Sequence, residues 1–238
     1  MSSARALAHA WTALRGAAAV LALAAIAAPA TVVIRGAMAD GRDVATVAWN
    51  FFSFFTMTFN GAGAIVLLWA AAWAWSGRRE GPEPRPLAVA LATVTTCVLV
   101  IGGLYNIQLP GMEIAHAAIV QWSNVVLHIV MPLFFLADLL VGPHRRPLRW
   151  RTVLAVLTFP AAWTVYVLIR ANLVTNTITG VPYWYPYPFL NPYEPGGYLR
   201  VMTYILAVTV VTVIGSLCVI GVGRLRARRR PRDKAASR

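Results

Sequence analysis

The chain has 238 residues, 59% of them hydrophobic and 12% charged, with a formal net charge of +13. A soluble domain of this size carries about twice that charged fraction, so a soluble enzyme or binding module is excluded. Apolar runs of about 20 residues without strand alternation exclude a β-barrel. They point to an all-α, polytopic membrane protein, a single six-transmembrane-helix bundle over 1–238 with no separate soluble domain.

The first apolar run is about 17–34, preceded by Arg5 and Arg15. Ala28-Pro29-Ala30 has the form of a signal-peptidase site after a short apolar core, which would release residues 1–30. The run continues through Thr31-Val32-Val33-Ile34, long enough to span, so a retained helix is expected. Residues 35–50 read as a short polar loop and 51–75 as the second span. A loop with Arg78, Arg79 and Arg85 leads to the third span, 87–109. A tight turn at 110–116 opens the fourth, 117–141. The segment 142–151 holds Arg145, Arg146, Arg149 and Arg151. The fifth span is 152–169, with Pro160 inside it. The longest loop, 170–200, precedes the sixth span, 201–222, and a basic tail, 223–238.

Charge orients these spans. Of the 21 basic residues, all but Arg35, Arg42, Arg170 and Arg200 fall in the termini and in alternate loops. That is the positive-inside pattern, and it predicts both termini in the cytoplasm of a cell-membrane protein. It also gives the excess charge a partner: anionic lipid head groups at the tail, in preference to nucleic acid. Trp11, Trp49, Trp73, Trp75, Trp122 and Trp150 fall near predicted span ends, as an interfacial belt requires. Cys97 and Cys218 lie inside apolar runs and read as packing residues. His9, His116 and His144 form no ligand spacing, and the lone Lys234 sits in the tail, so neither a metal nor a retinal-type cofactor is expected.

The fourth span carries Gln121, Asn124, His128 and Asp138 at membrane depth, where polar groups are expensive and usually functional. Gln121, Asn124 and His128 are three and four apart and share a helix face. Pro132 has no N–H for the His128 carbonyl, so the helix should loosen there. Two readings of His128 stand: an interhelical hydrogen bond that sets packing, or a general base. In the second span Ser53, Thr56 and Asn60 share a face. A threonine in a membrane helix ordinarily bonds its own backbone four residues back; as a nucleophile it needs an adjacent base. Asp138 is about 15 Å along the helix from His128 and cannot orient the imidazole; Arg145, Arg146 or another loop base is its expected partner. Residues 181–198 alternate aromatics with prolines, and should fold over the bundle mouth as a lid or lie at the interface as an anchor. Tyr105, Asn106 and Gln108 close the third span on the same side, either at that mouth or at the head-group boundary.

The stretch Asn124-Val125-Val126-Leu127-His128-Ile129-Val130-Met131-Pro132, with Asp138 behind it, resembles the histidine-bearing helix of the androgen-dependent TFPI-regulating protein family, also called the androgen-induced-gene family. Phe54-Phe55-Thr56 with Asn60 resembles the helix that carries that family's threonine. Trp184-Tyr185-Pro186-Tyr187-Pro188-Phe189-Leu190 and Gly197-Tyr198 resemble the bacterial branch of six-span proteins similar to it. The resemblance covers about 51–198. It implies a six-span membrane hydrolase; the family's animal members split fatty-acid esters of hydroxy fatty acids with an intramembrane threonine and a histidine. Carried over, Thr56 is the nucleophile and His128 the base, while Asn60, Gln121 and Asn124 are candidates for polarising a carbonyl or orienting the imidazole. The expected partner is a membrane lipid or lipid-ester substrate. The alternative is a non-catalytic lipid-binding or regulatory membrane protein built on the same polar face.

Overall fold

The computed structural model describes residues 3–76, 81–107 and 120–229. Among the described residues there are helices and no strands. Six helices are long and apolar enough to cross a membrane: Ala6–Ala39, Phe55–Trp75, Arg85–Ile107, Gln121–Val141, Thr152–Ala171 and Gly197–Arg229. The elements are α1 (Ser3–Ala39), α2 (Val44–Ser53), α3 (Phe55–Trp75), α4 (Arg85–Ile107), α5 (Gln121–Val125), a π stretch (Val126–Val130), α6 (Met131–Val141), α7 (Thr152–Ala171), a 3₁₀ turn (Pro188–Leu190) and α8 (Gly197–Arg229). Gln108, His116, Arg78, Arg79 and the tail from 230 onward lie outside the described residues.

Several boundaries differ from the sequence reading: α1 already begins at Ser3, and α8 starts at Gly197 and carries the first part of the expected tail, to Arg229, as helix. Residues 35–50 are not a loop. Helix α1 runs on to Ala39, and after a short turn Asp43 caps α2, its carboxylate accepting from the Thr46 amide at 2.9 Å. The second span is also not one helix: the chain is extended at Phe54 (φ −64°, ψ 135°), which separates α2 from α3. Ser53 therefore leaves the face shared by Thr56 and Asn60. Its hydroxyl bonds Trp49 O at 2.7 Å and lies 2.9 Å from the Tyr166 hydroxyl on α7.

Helix α4 is the central post, with its sides against α3, α6, α7 and α8. Its Leu87, Leu91, Val94 and Val98 join one buried cluster with residues of α1, α3 and α6, and Cys97 and Ile101 join another with Phe59 and Trp163. Helix α1 packs along α3 through buried Ala18, Ala22 and Ala25 against Ala64 and Ala70. Small residues let these helices approach closely, which matters where lipid is as apolar as the side chains.

Prolines inside the helices are answered from neighbouring helices. Pro29 has no N–H for Ala25 O, and the Ser123 hydroxyl of α5 donates to that carbonyl. In the fourth span the loosening expected at Pro132 takes the form of the π stretch, in which Met131 N–H reaches back to Val126 O. Met131 is thereby lost to Leu127 O, and Pro132 has no N–H to offer either Leu127 O or His128 O. Asn60 of α3 donates to Leu127 O (3.5 Å) and Asn106 of α4 donates to His128 O (3.3 Å). Gly102 lets α4 come this close: a Cβ there would lie 2.7 Å from the Pro132 ring.

One end of the bundle is bound by charge. Asp138, fully buried, accepts from Arg15 Nε (2.8 Å), Arg145 Nη2 (2.7 Å) and Trp11 Nε1 (2.6 Å). Arg145 is one of the expected partners. Arg15 is not a flanking charge but a buried residue within α1, which begins twelve residues before it. Arg146 goes elsewhere: its Nε donates to Glu83 O at 2.6 Å. Arg226 of α8 caps the end of α6, donating to Leu139 O and to Gly142 O. A cation suits those last carbonyls.

Candidate active site

Thr56 owes its freedom to the break at Phe54. In an unbroken helix its hydroxyl would bond Phe52 O. Here α3 starts at Phe55, Thr56 is in its first turn, and Phe52 O accepts instead from the Thr58 hydroxyl at 2.8 Å. The break is held by tertiary contacts. Trp163 Nε1 of α7 donates to Ser53 O at 3.1 Å, and the Phe54 ring stands edge-on to Trp184 and Tyr187. The groups exposed by the interruption thus find partners, as buried helix ends require.

Thr56 Oγ1 lies 3.3 Å from His128 Nε2. His128 Nδ1 lies 3.1 Å from Asn124 O. A carbonyl only accepts, so in the neutral imidazole Nδ1 carries the proton and Nε2 offers its lone pair to the threonine hydroxyl. Tyr105 of α4 stacks on the imidazole, ring centroids 3.8 Å apart and 26° from parallel. Its hydroxyl accepts from Asn124 Nδ2 at 2.5 Å. The histidine is therefore held along its edge by a main-chain carbonyl and across its face by a ring that Asn124 positions.

The aromatic loop supplies the residue that sequence reasoning missed. Trp184 N bonds Ala171 O (2.8 Å), Arg170 lies over the Trp184 ring, Tyr185 and Tyr193 both donate to Asn172 Oδ1, and Arg200 clamps Pro188 O at 2.7 Å. So tied, the loop drives Tyr187, Phe189 and Leu190 into the core beside Phe59 and Trp163. The Tyr187 oxygen accepts from the Phe55 amide at 3.1 Å, one residue before Thr56. Burial pushes its phenol up to about 12, so the O–H is kept. Nothing in the sequence separates Tyr187 from the neighbouring tyrosines except its position between Pro186 and Pro188.

The expected residues sort as follows. Thr56 and His128 meet directly. Asn60 is next to them, but its amide is used on Thr56 O (3.0 Å) and Leu127 O, so it holds backbone and does not face a substrate carbonyl. Asn124 orients the imidazole through its main-chain oxygen and reaches Tyr105 with its side chain. Gln121 is exposed as the first residue of α5, at the rim of the bundle, and the geometry gives it no part in the cluster. Thr56 is 8% exposed and His128 6%, so the pair is closed over. A cavity of about 20 Å³ lies at the opposite end, among Glu83, Arg145, Arg146 and Leu148, and is lined by none of these residues. Among the described residues no group of three or more His, Cys, Asp or Glu could hold a metal ion. Compared with protein-family models, curated proteins and solved structures, the chain matches none.

Proposed function

We propose that the chain is an intramembrane hydrolase of lipid esters, fatty-acid esters by class, with Thr56 as nucleophile and His128 as base. One observation carries this: a threonine hydroxyl released from its own helix sits 3.3 Å from an imidazole nitrogen whose lone pair is free. In the reaction Nε2 takes the hydroxyl proton as Oγ1 bonds to the ester carbonyl carbon. The imidazolium then returns that proton to the departing alkoxide, and water, activated in the same way, cleaves the acyl-threonine. The Asn124 carbonyl dipole serves where a carboxylate stands in a three-residue relay. The resemblance to the androgen-induced-gene family points to the same pair and the same chemistry.

The alternating basic loops orient the bundle with both termini in the cytoplasm of a cell membrane. The pair then lies in the outer half, a lipid ester enters sideways from the outer leaflet, and the basic tail meets anionic head groups. A second reading has its own support: closure at 8% and 6% exposure also suits a packing cluster in a non-catalytic lipid-binding protein. The test uses the full chain in detergent micelles with p-nitrophenyl octanoate and an alkyl fluorophosphonate. Hydrolysis and labelling that vanish in Thr56→Ala and His128→Ala, with folding retained, support the hydrolase. Absence of both in the wild type, with the two variants only less stable, establishes the packing role.

A further inference from the structure

Among the described residues no ion pair includes His128: Arg15 and Arg145 pair with Asp138, and Arg42 pairs with Asp40. Asp138 stands about 15 Å from the imidazole along the same span. What meets the ring is a neutral aromatic face. The Tyr105 centroid is 3.8 Å from that of His128, with the two planes 26° apart. That face is fixed from two sides. The Tyr105 hydroxyl accepts from Asn124 Nδ2 at 2.5 Å, and the next residue, Asn106, donates to His128 O at 3.3 Å. Asn106 Nδ2 also donates to Gly102 O at 2.7 Å, in the turn of α4 that abuts Pro132. The end of α4 is thus tied to Asn124 and to His128 at once, which sets both the separation and the tilt of the stacked rings.

We infer that Tyr105 acts through His128: its π face stabilises the imidazolium that exists only while Nε2 holds the Thr56 proton. The inference rests on the hydrolase reading of Thr56 and His128. His128 is 6% exposed, so a charge formed there has little water to solvate it. The face of an aromatic ring is partially negative, and a cation within about 6 Å of its centroid is attracted to it, most strongly where water is excluded. A neutral imidazole gains little from that field and an imidazolium gains much more. The contact therefore strengthens on the way to the transition state, which is the condition for raising kcat. As the Oγ1–H bond breaks, the Nε2–H bond forms, the Oγ1 electron pair bonds the ester carbonyl carbon, and the carbonyl pair moves to its oxygen. On collapse the carbonyl re-forms, the C–O bond to the leaving alcohol breaks, and that alcohol oxygen takes the proton from Nε2. Tyr105 gains and loses no proton. Nδ1 stays bonded to Asn124 O, so the charged ring is held along one edge by a carbonyl dipole and over one face by an aromatic ring. Tyr105 touches the base and not the substrate; it is a positioning residue whose ring also answers the charge.

The test uses the full chain in detergent with p-nitrophenyl octanoate. Tyr105→Phe keeps the aromatic face and should keep most of kcat. Mono-, di- and trifluorophenylalanine at position 105 keep the shape of that ring while withdrawing charge from its face. Each added fluorine should lower kcat by a similar factor, to about 10–30-fold below Tyr105→Phe for the trifluoro ring, with KM and melting temperature little changed. Acylation and deacylation both pass through the imidazolium, so the dependence holds whichever step limits kcat. Tyr105→Leu, apolar but without a π face, should fall at least as far. A packing role alone does not distinguish rings of equal shape. Constant kcat across the fluorinated series, or full kcat in folded Tyr105→Leu, while Thr56→Ala and His128→Ala are dead, overturns the role of Tyr105 alone. A wild-type protein that neither turns over the ester nor reacts with the fluorophosphonate removes the hydrolase itself, and this inference with it.

Discussion

Gly102→Ala tests the geometry that supports His128. The added Cβ would sit 2.7 Å from both Cβ and Cγ of Pro132 and 3.3 Å from His128 O. Carbon atoms in contact prefer about 3.5–4.0 Å, so α4 must retreat from the π stretch by about 1 Å. A pyrrolidine ring has no rotamer by which to move aside. Overpacking of this kind costs about 1–3 kcal/mol. Helix propensity works the other way, because alanine is favoured over glycine by about 1 kcal/mol. The adjacent Gly103→Ala separates the two effects, since nothing lies within 4 Å of a Cβ there. The propensity gain is common to both variants and cancels in the comparison. Gly102→Ala should therefore melt about 2–12 °C below Gly103→Ala, taking about 2–4 °C per kcal/mol for a chain of this length. The same retreat would stretch the Asn106–His128 bond from 3.3 Å beyond useful range and loosen the Tyr105 stack. A displacement of about 1 Å at a reacting group can cost 10²-fold in rate, so ester turnover should fall with stability. Thermal unfolding followed by tryptophan fluorescence in detergent, with turnover on the same samples, reads both effects. Equal melting temperatures for the two variants would refute the reasoning.

Asp138→Asn leaves Arg15, 1% exposed, without its counter-charge and should cost about 3–5 kcal/mol, whereas Asp138→Leu combined with Arg15→Met and Arg145→Met should recover most of it; denaturant titration checks both. Glu83 has its carboxyl raised above the ordinary value chiefly by burial. The native state therefore holds this proton more tightly than the unfolded chain, and Glu83 contributes stability below about pH 4.5 that is lost as pH rises through the raised value. Glu83→Gln should flatten that decline, as read from melting temperature against pH. Ser123→Ala strands Ala25 O beside Pro29 and should cost about 1 kcal/mol, but very little in a Pro29→Ala background, where a restored main-chain N–H serves the carbonyl; a double-mutant cycle measures the coupling.

The apolar runs made the six long helices legible, because a span is a property of local composition and length. The same reasoning failed at Phe54, where no glycine or proline marks the break. It is imposed by Trp163, Trp184 and Tyr187, which are remote in sequence. It failed again at Arg15, where a charge taken as a boundary marker is internalised by a carboxylate 123 residues away. The meeting of Thr56 and His128 was expected from the resemblance and from their shared depth. Spacing along a helix names a face without saying what lies opposite it: Asn60 meets main-chain carbonyls and Gln121 stands exposed, neither of which the spacing shows. The placement of Tyr187 was invisible for the same reason: its oxygen meets an amide at the start of another helix.

The carbonyls stranded by Pro29 and Pro132 have a consequence for how this bundle assembles. For six helices long and apolar enough to cross a membrane, greasy surfaces in hydrocarbon would not tell one helix from another, so burial alone would allow many arrangements of six similar rods. Each stranded oxygen is an address. Ala25 O matches the hydroxyl of Ser123, Leu127 O the amide of Asn60, and His128 O the amide of Asn106. A wrong pairing would leave a bare acceptor facing lipid tails, at a cost of several kcal/mol for each group. The residues that weaken individual helices thus select the neighbours of α1, α3 and α4, and the threonine and histidine are brought together by the same sorting that builds the bundle.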